Sequence, residues 1–415
     1  MSSDSNSTIS TTAAAASLRA SNGVGSRPGL SGLAPGELEA WFRARNEPAY
    51  RARQVADALW RTTAASAAEV GTLPADARVE LESRFRWSTL IATAVTQADE
   101  GRTEKLLHTL ADGALIESVL MHYPATDARR ARHTVCISSQ AGCAVGCPFC
   151  ATGELGLTRD LETAEIVDQV RDAARRVDAE GARLTNVVFM GMGEPLLNLD
   201  RVLAAIEALN DRRRFGLGAR HITVSTSGVV PGIRRLTGLG PQFTLAISLH
   251  AARDALRDVL VPLNRRWPVD EVVAAARDHA AATGRRISYE YTMIAGINDT
   301  PGDAGALVDL LRGDHAHVNL IPMNPVAHTP WQASPMGVIE RFAGRLRAAG
   351  ITTTIRRNRG TEVGAACGQL AALQAGQPAP PTVARRRERL VRDSLMALGG
   401  ERSRLPAPVA VREVG

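Results

Sequence analysis

The chain has 415 residues, too many for one minimal core, which implies a main domain of roughly 200 to 300 residues with additions. It carries 49 Lys and Arg against 43 Asp and Glu, a net charge of +6, and nearly all of the cations are arginine. No apolar run reaches the ~18 residues of a membrane span, and no basic start with an apolar core marks an export signal, so neither a membrane protein nor a secreted one is expected.

Residues 1–33, rich in Ser, Ala and Gly, are expected as a disordered tail. In residues 34–92 the segments LEAWFRARN, YRARQVADALWRT and ADARVELESRF place apolar residues at helical spacing, with Pro48 and Pro74 between them. They predict a small helical accessory domain in which Arg43, Arg45, Arg51, Arg53 and Arg61 cluster. Residues 93–132 shift to strand patterning, with turn signals at Glu100-Gly101 and Asp112-Gly113, and are expected as a β-hairpin linker region.

From residue 133 a regular alternation begins. Apolar, β-branched runs at 133–139, 185–190, 221–227, 243–249, 287–294 and 317–322 are separated by helical stretches such as LETAEIVDQVRDAARRV and VDEVVAAARDHAAATG. The fold class is therefore α/β with a parallel sheet. Six units are too few for a closed eight-stranded barrel, so an open, partial (β/α)6 barrel is expected over residues 133–373. A seventh run, ITTTIRR (351–357), serves as a C-terminal extension strand leading to Cys367. Residues 374–415 read as a short basic helix between disordered segments, a solubilising tail in preference to an RNA contact.

Four of the five cysteines, Cys136, Cys143, Cys147 and Cys150, lie within CISSQAGCAVGCPFC (136–150). In the reducing cytoplasm, where the chain is expected, clustered cysteines serve metal binding or catalysis instead of structural disulfides. A zinc site would use a second C-x2-C pair, and only Cys147 and Cys150 make one. A thioredoxin-type site would leave Cys143 unused. Cys143-x3-Cys147-x2-Cys150 puts three thiolates on one tight loop, with Gly142 and Gly146 easing the turns and Pro148 stiffening it. Three thiolates can hold three irons of a [4Fe–4S] cluster and leave the fourth iron for a small molecule.

A C-x3-C-x2-C loop directly after the first strand of a parallel α/β array resembles the radical S-adenosylmethionine (SAM) superfamily across residues 133–325. The resemblance implies a radical SAM partial barrel, one [4Fe–4S] cluster on Cys143, Cys147 and Cys150, and SAM bound at its open iron. SAM contacts are implied at Gly193 and Glu194 of MGMGEP, at Ser225, at Ser248, Leu249 and His250, and at Asn324. These positions fall at or just past strand ends, where parallel α/β folds bind ligands.

CISSQAGC, CPFCATG, MGMGEPLLN, STSGVVPGI, ISLHA, INDT, LIPMNP and RGTEVGAACGQL together resemble the RlmN family of adenosine C2-methyltransferases, from about residue 35 to 373. The resemblance implies methylation of an adenosine in 23S ribosomal RNA, at the peptidyl-transferase centre, and of one in the transfer RNA anticodon loop. It gives the N-terminal domain an RNA-binding role and implies a reducing flavoprotein partner. Adenine C2 is an electron-poor sp2 carbon, so ordinary methyl transfer fails and a covalent route is needed. By resemblance Cys367 carries an S-methyl group, Cys136 is the resolving thiol that ends in a transient disulfide with Cys367, and Glu117 accepts the C2 proton. Two SAM molecules are spent per turnover.

The related Cfr enzymes, which methylate C8 of the same adenosine, share all five cysteines and stand as the alternative. A non-catalytic RNA-binding protein with zinc in the 143–150 loop is the reading from another class. RNA-contact candidates are Arg212, Arg213, Arg214, Arg356, Arg357 and Arg359, although a GC-rich genome also favours arginine codons. Family members often carry D-G-T-x-K before Glu117, whereas this chain has EGRTEK (100–105), which leaves the hairpin geometry there open.

Overall fold

The computed structural model describes residues 27–370 apart from 63, 328 and 357. The expected tail 374–415, most of the tail 1–33, and Arg357 lie outside the described residues.

Three short helices, α1 (Glu37–Arg43), α2 (Tyr50–Arg61) and α3 (Ala75–Arg84), close around a core of their own. Phe42, Val55, Leu59, Leu81 and Phe85, all within the segments whose apolar spacing predicted the helices, fill it together with Trp87. Residues 27–33 do not behave as tail. Leu30 and Ser31 are buried, and a Cβ at Gly29 or Gly32 would overlap Ala164, so only glycine lets the backbone approach so closely. The physical reason is a buried carboxylate. Asp168 accepts from Ser31 Oγ (2.7 Å), from Thr89 N (2.7 Å) and Oγ1 (2.8 Å), and from Arg171 (2.6 Å), which ties the helical unit to the main domain.

Strands β1 (Leu90–Ala98), β2 (Thr103–Leu110) and β3 (Leu115–Tyr123) follow. The hairpin region expected as a linker belongs to the main sheet instead, because β3 pairs antiparallel with β4 (Arg132–Cys136). Its alternating apolar residues, such as Leu106, Leu110, Ile116 and Leu120, are fully buried in the structure.

Beyond β4 the short hairpin β5 (Gln140–Gly142) and β6 (Leu157–Asp160) brackets the cysteine loop and the one-turn helix α4 (Ala151–Leu155). Helix α5 (Thr163–Ala179) starts with a capping box in which Glu162 and Glu165 each bond the other's backbone. Then come β7 (Asn186–Phe189), α6 (Leu199–Asn210), β8 (Ile222–Thr226), α7 (Val230–Leu239), β9 (Thr244–Ser248), α8 (Asp254–Leu260) and α9 (Val269–Thr283). The chain continues through β10 (Ile287–Met293), α10 (Pro301–Leu311), β11 (Ala316–Pro322), α11 (Met336–Ala348) and β12 (Thr352–Ile355).

The ten-stranded sheet runs β1-β2-β3-β4-β7-β8-β9-β10-β11-β12. From β4 to β12 every neighbour is parallel, so the expected six strands and their extension form one open barrel wall. No helix is long and apolar enough to cross a membrane, among the described residues.

Candidate active site

The cysteine loop hangs from the carboxyl end of β4. Cys143 N donates to Gly156 O (2.8 Å), closing the loop's base. Gly142 has φ 79°, and a Cβ there would sit 1.9 Å from Gly156 O, so this corner admits only glycine. A Cβ at Gly153 would likewise lie 2.9 Å from Cys147 N, pressing the helix α4 start against the loop.

Cys143, Cys147 and Cys150 wall one side of a cavity at the carboxyl ends of the parallel strands. Burial pushes the Cys143 thiol up to about 12 and raises Cys147 and Cys150 as well, with the neighbouring cysteines adding to the effect at Cys147. Three half-buried sulfurs on one loop, shielded enough to be costly as free thiolates, suit a cationic iron centre that binds them deprotonated. Arg257 strengthens the fit. Its guanidinium is fully buried, lies near enough to Cys147 for the two to interact electrostatically, and donates to Leu249 O (3.0 Å), Ser227 O (2.7 Å) and Asn264 Oδ1 (2.8 Å).

Of the seven expected SAM contacts, Gly193, Glu194, Ser225, Ser248, His250 and Asn324 line this cavity. Leu249 does not, because its side chain is buried in the main core and only its carbonyl serves the site, through Arg257. The Glu194 carboxylate accepts from Ser227 N (2.7 Å) and Oγ (2.8 Å) and from Leu196 N (3.1 Å), while burial raises its pKa. His250 sits at φ 59°. Asn298 of the INDT segment holds that turn by donating to His250 O (2.9 Å) and Thr292 O (2.6 Å). Burial, followed by Arg257, lowers His250 to about 3, so its ring is neutral and Nδ1 accepts from Thr292 N (3.1 Å). Asn324 donates to Cys367 O (2.9 Å), and its buried Oδ1 has no partner among the described residues, as expected of an acceptor reserved for a ligand.

Cys367 lines this cavity and also a smaller adjoining cleft, which it shares with Cys136. Cys136 ends β4, opposite Val119 of β3 and Val188 of β7. Burial, then the nearby Cys367, pushes the Cys136 thiol up to about 12, with Arg356 pulling it down. Arg356 lines both spaces, and its guanidinium is held charged chiefly by Cys367. It therefore lies beside the sulfurs of Cys136 and Cys367. The loop bearing Cys367 is tied down where Ala151 N meets Gly368 O (2.7 Å) and Thr152 Oγ1 meets Leu370 O (2.7 Å).

Glu117 of β3 is buried, 3.3 Å from Lys105 Nζ, and lies outside the lining of both spaces. Arg359 and Arg132 stack on Tyr123 at 4.3 and 4.2 Å, at the rim of the cleft. Arg213 and Arg214 are paired with Asp211, and Arg212 offers its carbonyl to Arg61 (3.4 Å). In the helical unit Arg45, Arg51 and Arg61 are ion-paired with Glu80, Glu47 and Asp57.

Sequence reasoning missed Glu290 and Thr292 of the cavity wall. The signal was present, since Ser288, Glu290 and Thr292 alternate with buried Tyr289 and Tyr291 on β10 and so point into the barrel.

Residues 137–310 match the radical SAM superfamily. A curated protein from Parafrankia sp. (strain EAN1pec), named "Probable dual-specificity RNA methyltransferase RlmN", is 51% identical over 357 residues, 83% of this chain and 91% of that one. One of the same name from Mycobacterium bovis (strain BCG / Pasteur 1173P2) is 48% identical over 84% of this chain and 97% of its own. The crystal structure of a radical SAM methyltransferase from Sphaerobacter thermophilus superposes with a TM-score of 0.81 at 46% identity, covering 83% of this chain and all of that one. With its three-cysteine loop, its walled cavity and relatives of this closeness over most of both lengths, the chain belongs to the RlmN family of radical SAM RNA methyltransferases, which implies a [4Fe–4S] cluster and SAM.

Proposed function

We propose that the chain methylates C2 of one adenosine in the peptidyl-transferase centre of 23S ribosomal RNA and of one in the transfer RNA anticodon loop. The observation that carries this reading is the position of Cys367, which lines the cavity walled by Cys143, Cys147 and Cys150 and also the cleft containing Cys136. A carbon carried on the Cys367 sulfur can thus be reached from the cofactor side and released from the Cys136 side.

Cys143, Cys147 and Cys150 would hold the cluster, with Glu194, Ser225, Ser248, His250 and Asn324 around SAM. When bound, these groups supply a methyl group for Cys367 and a 5′-deoxyadenosyl radical that takes one hydrogen from it, using two SAM per turnover. The activated carbon on Cys367 bonds to adenine C2, giving a covalent protein–RNA thioether. Glu117 takes the C2 proton. Cys136 then attacks the Cys367 sulfur, the sulfur–carbon bond breaks, and the carbon takes up a proton and leaves with adenine as the new methyl group. The one electron left over from the radical addition would return to the cluster held by Cys143, Cys147 and Cys150. The resulting Cys136–Cys367 disulfide must be reduced before the next cycle. The reading includes cytoplasmic action and a flavoprotein that feeds electrons to the cluster.

Mass spectrometry of RNA treated with the anaerobically reconstituted enzyme, against 2-methyl- and 8-methyladenosine standards, tests the regiochemistry. We expect 2-methyladenosine, and a product found only at C8 would overturn the reading.

A further inference from the structure

Lys105 is the only lysine in a chain with 49 Lys and Arg. It stands on β2 directly opposite Val119 of β3, and Val119 in turn stands opposite Cys136 of β4. Directly paired residues share a sheet face, as do residues two apart on a strand, so Lys105, Glu117 and Cys136 all project from the same face. The Lys105 ammonium is 3.3 Å from Glu117 Oε1. The loop that carries Cys367 covers it, since a Cβ on Gly364 would lie 3.6 Å from Nζ.

Two physical arguments give this lysine a role. A buried carboxylate without a counter-ion is driven towards its neutral form, in which it cannot accept a proton. Arginine would carry the same charge, and it is the cation this chain uses everywhere else. A guanidinium is a flat, wide fork, whereas an ammonium is a compact point charge with rotatable donors, so the two are not interchangeable beside one carboxylate. We propose that Lys105 is the positioning residue for Glu117, its ammonium holding the buried carboxylate by the ion pair and aiming it so that it receives the C2 proton of the RNA adduct. The proton moves from C2 to a Glu117 oxygen, the carboxylate becomes neutral, and the Lys105 charge is unchanged. This rests on the functional reading above.

The test has two arms. In the reconstituted holoenzyme with RNA, Lys105→Met should still form the covalent adduct but release product at least ~100-fold more slowly, the lower end expected for loss of a general base, so that adduct accumulates. Lys105→Arg, which keeps the charge and guards against misfolding of the Met variant, should show a smaller but measurable loss. Independently of turnover, reductive 13C-methylation labels this one lysine, and its ε-dimethyl resonance should shift between the wild type and Glu117→Gln. Wild-type release rates in both Lys105 variants, or a resonance unmoved by Glu117→Gln, would overturn the proposal. Absence of adduct and of methyladenosine even in the wild type would sink the functional reading, while the resonance would still report on the ion pair.

Discussion

The five cysteines divide into two regions built by opposite means. Cys143, Cys147 and Cys150 come from eight consecutive residues, framed by glycines that a side chain would block. Cys136 and Cys367 are more than two hundred residues apart, and meet only because β3, β4 and the loop after β12 enclose one cleft. The first arrangement is a property of a loop, the second a property of the whole sheet. Damage to the loop should therefore abolish the metal centre. Damage to the pair should leave the metal centre intact and stop the reaction at a defined stage.

The largest effect tests that division. Cys143→Ala should lose the cluster, measured as iron and sulfide content and visible absorbance, together with all methylation. Cys136→Ala and Cys367→Ala should keep wild-type iron content. If either of the latter lost the cluster, the two regions would not be separate.

Within the pair the expectation is asymmetric. Cys136→Ala should trap an RNA adduct visible on denaturing gels, whereas Cys367→Ala should neither crosslink nor methylate. Normal turnover by Cys136→Ala would remove its resolving role.

Arg257 sharpens the comparison energetically. Replacing it with Met leaves the carbonyls of Ser227 and Leu249 without their donor inside the fold and should cost about 3 kcal/mol. Chemical denaturation of the variant checks this, and a cost below about 1 kcal/mol would mean the site relaxes around the loss.

The smallest effect is on pH. Burial lowers His250 to about 3 and His108 to about 4, against 6.5 when unfolded. The unfolded chain therefore binds protons below pH 6.5 that the folded chain refuses. Stability should fall by about 1.4 kcal/mol per pH unit for each histidine, from pH 6.5 down to about 4 for His108 and about 3 for His250. His108→Gln should flatten the slope between pH 6.5 and 5 without touching the cysteine sites, because His108 bonds Ser118 and Thr93 away from the cleft.

The same contrast explains what could be read from the chain alone. The parallel strands were legible to within a few residues, since β-branched runs such as ITVST and TLAIS alternate with long amphipathic helices. The role of the hairpin region was not, because alternation specifies a strand but not its neighbour, and the pairing of β3 with β4 is a long-range choice. Residues 27–33 looked like tail because their anchor, Asp168, lies on a distant helix. Leu249 was placed by its position at a strand end, but strand alternation turns its side chain into the core.

The sequence by itself determined the spacing of the three loop cysteines, the glycines that permit their turn, and the order of strands and helices, because these depend on neighbours within a few residues. Only the tertiary structure decided that Cys136 and Cys367 share a cleft, that Arg356 faces them, and that Lys105 meets Glu117. Those contacts join side chains from separate strands and loops, and sheet register and chain crossover, not local preference, bring such residues together.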